Sequence, residues 1–99
     1  ASDVSVSVAE SGEEGIEKAQ EVLPDLVLMD VVMPGMNGFQ ATRKLSTIEA
    51  TSSIPVIIVT TKDQETDKVW GIRQGAKDYI VKPVKEKDLI DRVNAALAG

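Results

Sequence analysis

The sequence contains neither cysteine nor histidine, and this absence excludes several classes of site at once. The chain can form no disulfide bond, no thiolate or imidazole metal site, no cysteine nucleophile and no serine–histidine–aspartate triad. Aromatic residues are also scarce, because Phe39, Trp70 and Tyr79 are the only three, so the core must consist mainly of aliphatic side chains. Any chemistry therefore depends on carboxylates, hydroxyls or lysine.

Basic residues are in the minority, with 11 Lys and Arg against 16 Asp and Glu and a net charge of −5. Nucleic-acid-binding modules concentrate Lys and Arg on one face, so we expect no nucleic-acid partner. No stretch approaches the roughly 20 apolar residues that span a bilayer, and no signal peptide opens the chain. We therefore expect no membrane contact and a cytoplasmic location for a single domain of 99 residues.

Apolar runs of strand length alternate with segments of helical periodicity four times along the chain. Strands are predicted at residues 4–8, 26–29, 56–59 and 79–81, and helices at residues 11–23, 39–48, 63–74 and 89–97. The first helix begins with a capping box, Ser11 and Glu14, and carries an apolar stripe whose last residue is Leu23 and which ends at Pro24. Strands separated by helix-length connections must run parallel, and right-handed crossovers then place helices on both faces. The predicted fold is an α/β doubly wound parallel sheet.

The first predicted strand differs in pattern from the others. It alternates valine with serine, as an edge strand with one face in water does, whereas residues 26–29 and 56–59 are apolar throughout. Uninterrupted apolar runs are typical of central parallel strands that are covered on both faces. The third helix, residues 63–74, has no clean apolar stripe, so we expect it to pack loosely and to end at Gly75.

Three of the predicted strands end in polar residues of different chemistry: Asp30, Thr60 and Lys82. In open α/β sheets, ligands bind beyond the carboxyl ends of the strands, so these side chains should meet at one edge. Phosphoryl transfer onto a carboxylate suits such a set, with Asp30 as nucleophile and Lys82 as counter-charge. Thr60 would hydrogen-bond a phosphoryl oxygen, and a divalent cation such as Mg²⁺ would offset charge.

Three segments carry a family resemblance: residues 30–38 (DVVMPGMNG), 55–60 (PVIIVT) and 75–83 (GAKDYIVKP). They resemble the motifs of CheY-like response-regulator receiver domains, in the family's order and at the same strand ends. The resemblance covers essentially the whole chain and implies the flavodoxin-like fold of that family. Residues 59–70 are most similar to stand-alone receivers of twitching-motility chemosensory systems.

The resemblance implies a role for each matched residue in two-component signal transduction. Asp30 is the implied phosphoacceptor, Lys82 contacts the phosphoryl group and precedes a cis proline, and Thr60 forms a switch pair with Tyr79. The implied Mg²⁺ ligands are Asp30 and the backbone carbonyl of Val32. The implied partners are a histidine kinase or phosphotransfer protein and a downstream protein target. Chemistry is limited to phosphorylation and dephosphorylation of Asp30 itself, so the chain is not expected to be an enzyme.

The sequence departs from the family at its start. A receiver opens with a strand that ends in an acidic pair and continues into a helix, whereas residues 1–99 correspond to the family's second strand through its fifth helix. We therefore expect a truncated receiver of about four strands and four helices, with weakened Mg²⁺ binding. The family strand order, 2-1-3-4-5, normally inserts the first strand between the strands that hold Val6 and Leu28.

Three consequences of this departure remain open. The first strand packs directly beside residues 26–29, or two chains exchange elements and form a homodimer, or the chain is an incomplete or engineered fragment. In the first case Glu10, at the carboxyl edge, becomes a candidate metal ligand, whereas Asp3 lies at the opposite edge.

Competing interpretations of the site residues also stand. Taken singly, a strand-end aspartate often caps a loop, Thr60 suits any strand and Lys82 suits any surface. A haloacid-dehalogenase-type phosphatase would need a second acid where Val32 stands, and residues 9–12 are a poor phosphate-binding loop for a nucleotide binder. The main alternative is a truncated or designed receiver that serves as a non-signalling scaffold for folding, assembly or protein binding.

Overall fold

The computed structural model describes residues 5–9, 12–30 and 37–98. Within these residues, four strands and four helices alternate along the chain, as the hydrophobic pattern predicts. Their bounds are β1 Val6–Ala9, α1 Gly12–Val22, β2 Leu26–Met29, α2 Gly38–Thr47, β3 Val56–Thr60, α3 Glu65–Arg73, β4 Asp78–Val81 and α4 Glu86–Ala98. None of the helices in this part of the chain is long and apolar enough to cross a membrane.

The four strands form one parallel sheet in the order β1-β2-β3-β4. β1 pairs directly with β2, so that Val6 lies opposite Leu26 and Val8 opposite Leu28. The structure therefore has the first of the three expected arrangements, in which no strand separates β1 from β2. The family order, by contrast, places a further strand between them.

This sequential order determines which face of the sheet each helix covers. Right-handed crossovers between strands that advance in one direction place α1, α2 and α3 on the same face, which we call the three-helix face. Its core consists of small and aliphatic residues together with one tyrosine: Ala9, Ala19, Val27, Met29, Ala41, Leu45, Val56, Ile58, Ala76 and Tyr79. On the opposite face, called the α4 face, α4 packs against Leu26, Ile57 and Ile80. The sheet is thus doubly wound, with three helices on one side and one on the other.

At the edge strand β1, the face in contact with water is the valine face. Val6 and Val8 are 40% and 61% exposed, whereas Ser7 and Ala9 are buried. The reason is that α1 covers the serine side, where it approaches β1 so closely that a Cβ on Gly15 would lie 2.7 Å from the Cβ of Ala9. The core between α4 and the sheet contains Leu26, Ile57 and Ile80 and does not include Val6 or Val8.

Two predicted helix ends are corrected by the structure. Leu23, predicted to close the apolar stripe of α1, follows the helix with a φ of 50° and is 55% exposed. Pro24 comes next and disfavours α-helical backbone at the residue before it. Ile48, predicted inside the second helix, is instead the C-cap of α2. The predicted capping box at Ser11 lies outside the described residues.

Candidate functional site

Asp30 and Lys82 meet at the carboxyl edge of the sheet. Asp30 follows β2 and Lys82 follows β4, and the Nζ of Lys82 donates a hydrogen bond to the Oδ2 of Asp30 over 3.1 Å. Because β3 lies between β2 and β4, the ion pair reaches across the end of β3. The side chains of Lys82 and Asp30 are 45% and 31% exposed, so a reactant can approach the carboxylate from solvent. The peptide bond between Lys82 and Pro83 is cis, as the resemblance implies.

Thr60 is the last residue of β3 and therefore lies on the strand between the two charged groups. Its side chain is fully buried. Its backbone carbonyl accepts a hydrogen bond from the N–H of Lys82 at 2.8 Å, which holds the two residues side by side. The carboxylate, the hydroxyl and the ammonium thus stand at three neighbouring strand ends, as the sequence predicts.

Tyr79 points its ring inward, on the three-helix face of the sheet. It is 8% exposed and lies opposite Ile58 in the strand register. Its hydroxyl donates to the backbone carbonyl of Lys62 over 3.0 Å, while the N–H of Lys62 donates a longer bond of 3.4 Å to the Oγ1 of Thr60. The backbone of one residue, Lys62, therefore connects the hydroxyls of the predicted switch pair.

The charge at the carboxyl edge acts on Tyr79. Burial raises the pKa of Tyr79 above its ordinary value of 10.0, and the negative charges of Asp67, Asp30 and Asp63 raise that pKa further. The charge of Asp30 therefore disfavours the phenolate form of Tyr79. Additional negative charge on Asp30 acts in the same direction, because it disfavours the phenolate still more.

The metal site implied by the resemblance is only partly within the described residues. Val32 and Glu10, two of the predicted ligands, lie outside them, and Asp30 is the remaining one. The described part of the chain holds no cluster of three acidic side chains suited to a metal ion. Magnesium takes oxygen ligands in near-octahedral geometry, usually from one or two carboxylates with water and phosphate oxygens. Asp30 can supply one such carboxylate.

α3 contacts the sheet in a way that the sequence alone does not reveal. Val69, Trp70 and Ile72 are 46%, 51% and 49% exposed, which agrees with the loose packing predicted for this helix. Its buried residue is Gly71, where an added Cβ would lie 2.8 Å from the Cδ2 of Tyr79. A glycine inside a helical pattern signals a close approach, but only the fold shows that the neighbour is the predicted switch tyrosine.

Comparison with known proteins places this geometry in a family. Residues 1–94 match the family model described as the response regulator receiver domain. The chain is 65% identical over 91 residues to protein PilH of Pseudomonas aeruginosa, covering 92% of this chain and 75% of PilH. It is 40% identical over 92 residues to the transcriptional regulatory protein AfsQ1 of Streptomyces coelicolor, covering 93% of this chain and 40% of AfsQ1.

Solved structures show the same fold. A putative response regulator from Chloroflexus aurantiacus matches with a TM-score of 0.86 at 32% identity, over 92% of this chain and 75% of that one. The receiver domain of a sensor histidine kinase from Pseudomonas aeruginosa, solved with a magnesium ion coordinated in its active-site cleft, matches with a TM-score of 0.82 at 25% identity. That match covers 92% of this chain and 75% of the other.

Proposed function

Because the chain belongs to the response regulator receiver family, we propose that Asp30 is the residue that accepts the phosphoryl group. Receivers act as phosphoacceptors in two-component signalling, and they interact with histidine kinases or phosphotransfer proteins and with downstream targets. The observation that carries the assignment is the 3.1 Å contact between the Lys82 ammonium and the Asp30 carboxylate at the open edge of the sheet.

The transfer uses the three strand-end groups in distinct ways. A carboxylate oxygen of Asp30 attacks the phosphorus of a phosphohistidine, the P–N bond breaks, and the released imidazole nitrogen takes up a proton from water. Lys82 stays beside the new acyl phosphate and offsets the negative charge that the transfer adds. Thr60, at the neighbouring strand end, donates its hydroxyl to a phosphoryl oxygen.

The signal then passes through the backbone of Lys62. When Thr60 turns toward the phosphoryl group, its bond with the N–H of Lys62 changes, and the carbonyl of Lys62 is the acceptor that holds Tyr79. Phosphorylation thereby shifts the populations of two arrangements of α3 and β4. An open groove of about 720 Å³ beside them, with Tyr79, Val84 and Arg92 in its lining, is the surface offered to a protein target.

Further features of the chain follow from the same proposal. Residues 1–99 form one receiver domain that runs from the family's second strand to its fifth helix. Its chemistry is confined to Asp30, it acts in the cytoplasm on proteins rather than on nucleic acid or membranes, and it takes part in twitching-motility signalling.

Mg²⁺ binds through Asp30 and the Val32 carbonyl, with Glu10 the remaining candidate. Two copies associate to form a homodimer, with or without exchange of elements.

Acetyl phosphate tests the assignment of Asp30, because it donates its phosphoryl group directly and releases acetate. The parent chain, Asp30→Asn and Asp25→Asn are incubated with acetyl phosphate and Mg²⁺, and their intact masses are measured. Asp25 is a matched control, since it precedes the same strand at the opposite edge, and an amide oxygen can still accept its bond from the Ser5 N–H. We expect one added phosphoryl group on the parent and on Asp25→Asn and none on Asp30→Asn. An unmodified parent, or an adduct that survives in Asp30→Asn, would favour the non-signalling scaffold.

A further inference from the structure

Helix α3 lies against the sheet through its backbone rather than through large side chains. Among residues 65–73, all of which the structure describes, Gly71 is the buried one, while Val69, Trp70 and Ile72 are each about half exposed. Hydrophobic side chains therefore do not explain why α3 lies as close to β3 and β4 as it does. The explanation must involve what occupies the space beside Gly71.

Two side chains of the sheet fill that space. A Cβ added to Gly71 would lie 2.8 Å from the Cδ2 and 3.1 Å from the Cε2 of Tyr79, and 2.9 Å from the Cδ1 of Ile58. Carbon atoms make optimal contact at about 3.5–4.0 Å, so these distances mean overlap. The tyrosine ring has little freedom to yield, because its hydroxyl is held by the carbonyl of Lys62. A side chain at position 71 and the inward ring of Tyr79 therefore compete for one volume.

We propose that Gly71 is a positioning residue of the switch, because the missing side chain at this point of α3 leaves the space in which the ring of Tyr79 lies inward. Glycine is an unfavourable choice for the helix itself, since alanine stabilises a helix interior by about fivefold in equilibrium constant relative to glycine. In this proposal, the room that glycine leaves for the Tyr79 ring matters more than its lower helix propensity. The competition for space between position 71 and the Tyr79 ring does not depend on the proposed function, whereas its consequence for signalling rests on that function.

The consequence concerns the arrangement in which the two switch hydroxyls share Lys62. With alanine at position 71, the ring has to leave its place, its bond to the Lys62 carbonyl breaks, and the connection from Thr60 to Tyr79 is lost. Because the proposed function couples a phosphoryl group at Asp30 to this connection, linkage requires that displacing the ring also changes the affinity for that group. Gly71→Ala should therefore change the affinity of Asp30 for a phosphoryl group or its analogue.

A double-mutant cycle measures the competition directly. Gly71→Ala is compared in the presence of Tyr79 and in Tyr79→Leu, with all four variants carrying Ile58→Val to remove the second contact. Equilibrium unfolding in urea should show that Gly71→Ala weakens folding severalfold when the ring is present. Without the ring, the same change should strengthen folding by about fivefold, as helix propensity requires. An equal effect of Gly71→Ala in both backgrounds would overturn the proposal.

Titration of the phenol provides a second readout, because Tyr79 is the only tyrosine in the chain. In Gly71→Ala, the pKa read from ultraviolet absorbance should fall from its raised value toward 10.0 as the ring leaves its buried position. Thr66→Ala, at an exposed position of the same helix, is the matched control and should titrate like the parent. A Gly71→Ala phenol that titrates like the parent would contradict the assigned role.

Binding of beryllofluoride, a non-covalent phosphoryl analogue, tests the role of Gly71 in signalling. In the presence of Mg²⁺, we expect Gly71→Ala to bind it with an affinity different from that of the parent, and Thr66→Ala to match the parent. Equal affinity in Gly71→Ala and the parent would overturn the switch role. A parent that does not bind the analogue, with the changes in folding and titration still observed, would refute the proposed function and the switch role while leaving the assigned ring position intact.

Discussion

Neighbouring residues of one strand are buried on the three-helix face of the sheet and more exposed on the α4 face. In β1, Ser7 on the three-helix face is 8% exposed, whereas Val8 on the α4 face is 61% exposed. In β2, Met29 is fully buried on the three-helix face, whereas Leu28 on the α4 face is only partly covered. Coverage by a helix, rather than the hydrophobicity of the residue, therefore decides what is buried at this edge of the sheet.

The same difference bears on the position of the proposed switch. The inward ring of Tyr79 and the glycine that leaves it space both belong to the three-helix face, where a close approach of α3 can couple them. On the α4 face, Val6 and Val8 of β1 are 40% and 61% exposed. Burial of a valine side chain contributes roughly 1.5–3 kcal/mol. A second molecule that covered the exposed valines of the α4 face would therefore be bound favourably.

The largest expected contrast comes from truncating adjacent residues of β2. Met29→Ala removes a fully buried side chain and should lower the free energy of unfolding by about 2–5 kcal/mol. Leu28→Ala removes a side chain of similar volume from the α4 face and should cost less than half as much, because Leu28 is only partly buried. Urea denaturation of both variants measures the contrast. Equal losses would show that the two faces are packed equally well.

The pH dependence of stability should next reveal the buried phenol of the three-helix face. Because the pKa of Tyr79 in the folded protein lies above its ordinary value of 10.0, its contribution is present below about pH 10 and is lost as pH rises through the folded pKa. Unfolding measured between neutral pH and pH 11 should show this decline. Tyr79→Phe keeps the ring without the titrating group and should lack that part of the decline; an unchanged profile would contradict the prediction.

A smaller effect is expected where α4 is attached to β4. The Nη1 of Arg92 donates to both carboxylate oxygens of Asp78, over 3.0 and 3.1 Å. Both side chains are partly exposed, so Arg92→Ala should destabilise the fold by only about 0.2–1 kcal/mol. Lys87→Ala, on the exposed side of the same helix, serves as the control and should change the melting temperature less. A loss of several kcal/mol would mean that α4 depends on this pair more than on its apolar contacts.

The smallest effect on stability is expected at Val8. Val8→Lys places a charge at an exposed position and should change the free energy of unfolding by about 0.5 kcal/mol or less. It should nevertheless reduce self-association, because edge strands and exposed apolar patches favour pairing between molecules. Sedimentation over a concentration series tests this, with Val22→Lys, which changes an exposed valine on α1, as the control. Equal association of the two variants would place the contact elsewhere.

Several features of the fold and of the site were predictable from local pattern alone. Asp30, Thr60 and Lys82 were expected at one edge because each ends an apolar run, and parallel strands bring their carboxyl ends together. The weak apolar pattern of α3 likewise predicted a helix with few anchoring side chains. The hydrophobic pattern did not predict contacts whose partner lies far away in the sequence. The use of Lys62 as a bridge to Tyr79 and the close approach at Gly71 each depend on residues distant in sequence.

Short-range periodicity and residue type were enough to predict the alternation of strands and helices, the parallel sheet and the polar residues at its carboxyl edge. The position of β1 beside β2 and the exposure of its valines became clear only from the packing of the whole chain. The reason is that alternation of valine and serine distinguishes the two faces of a strand but does not predict which face a crossover helix will cover. The place of the Tyr79 ring was decided in the same way, by the distance between a helix backbone and a strand.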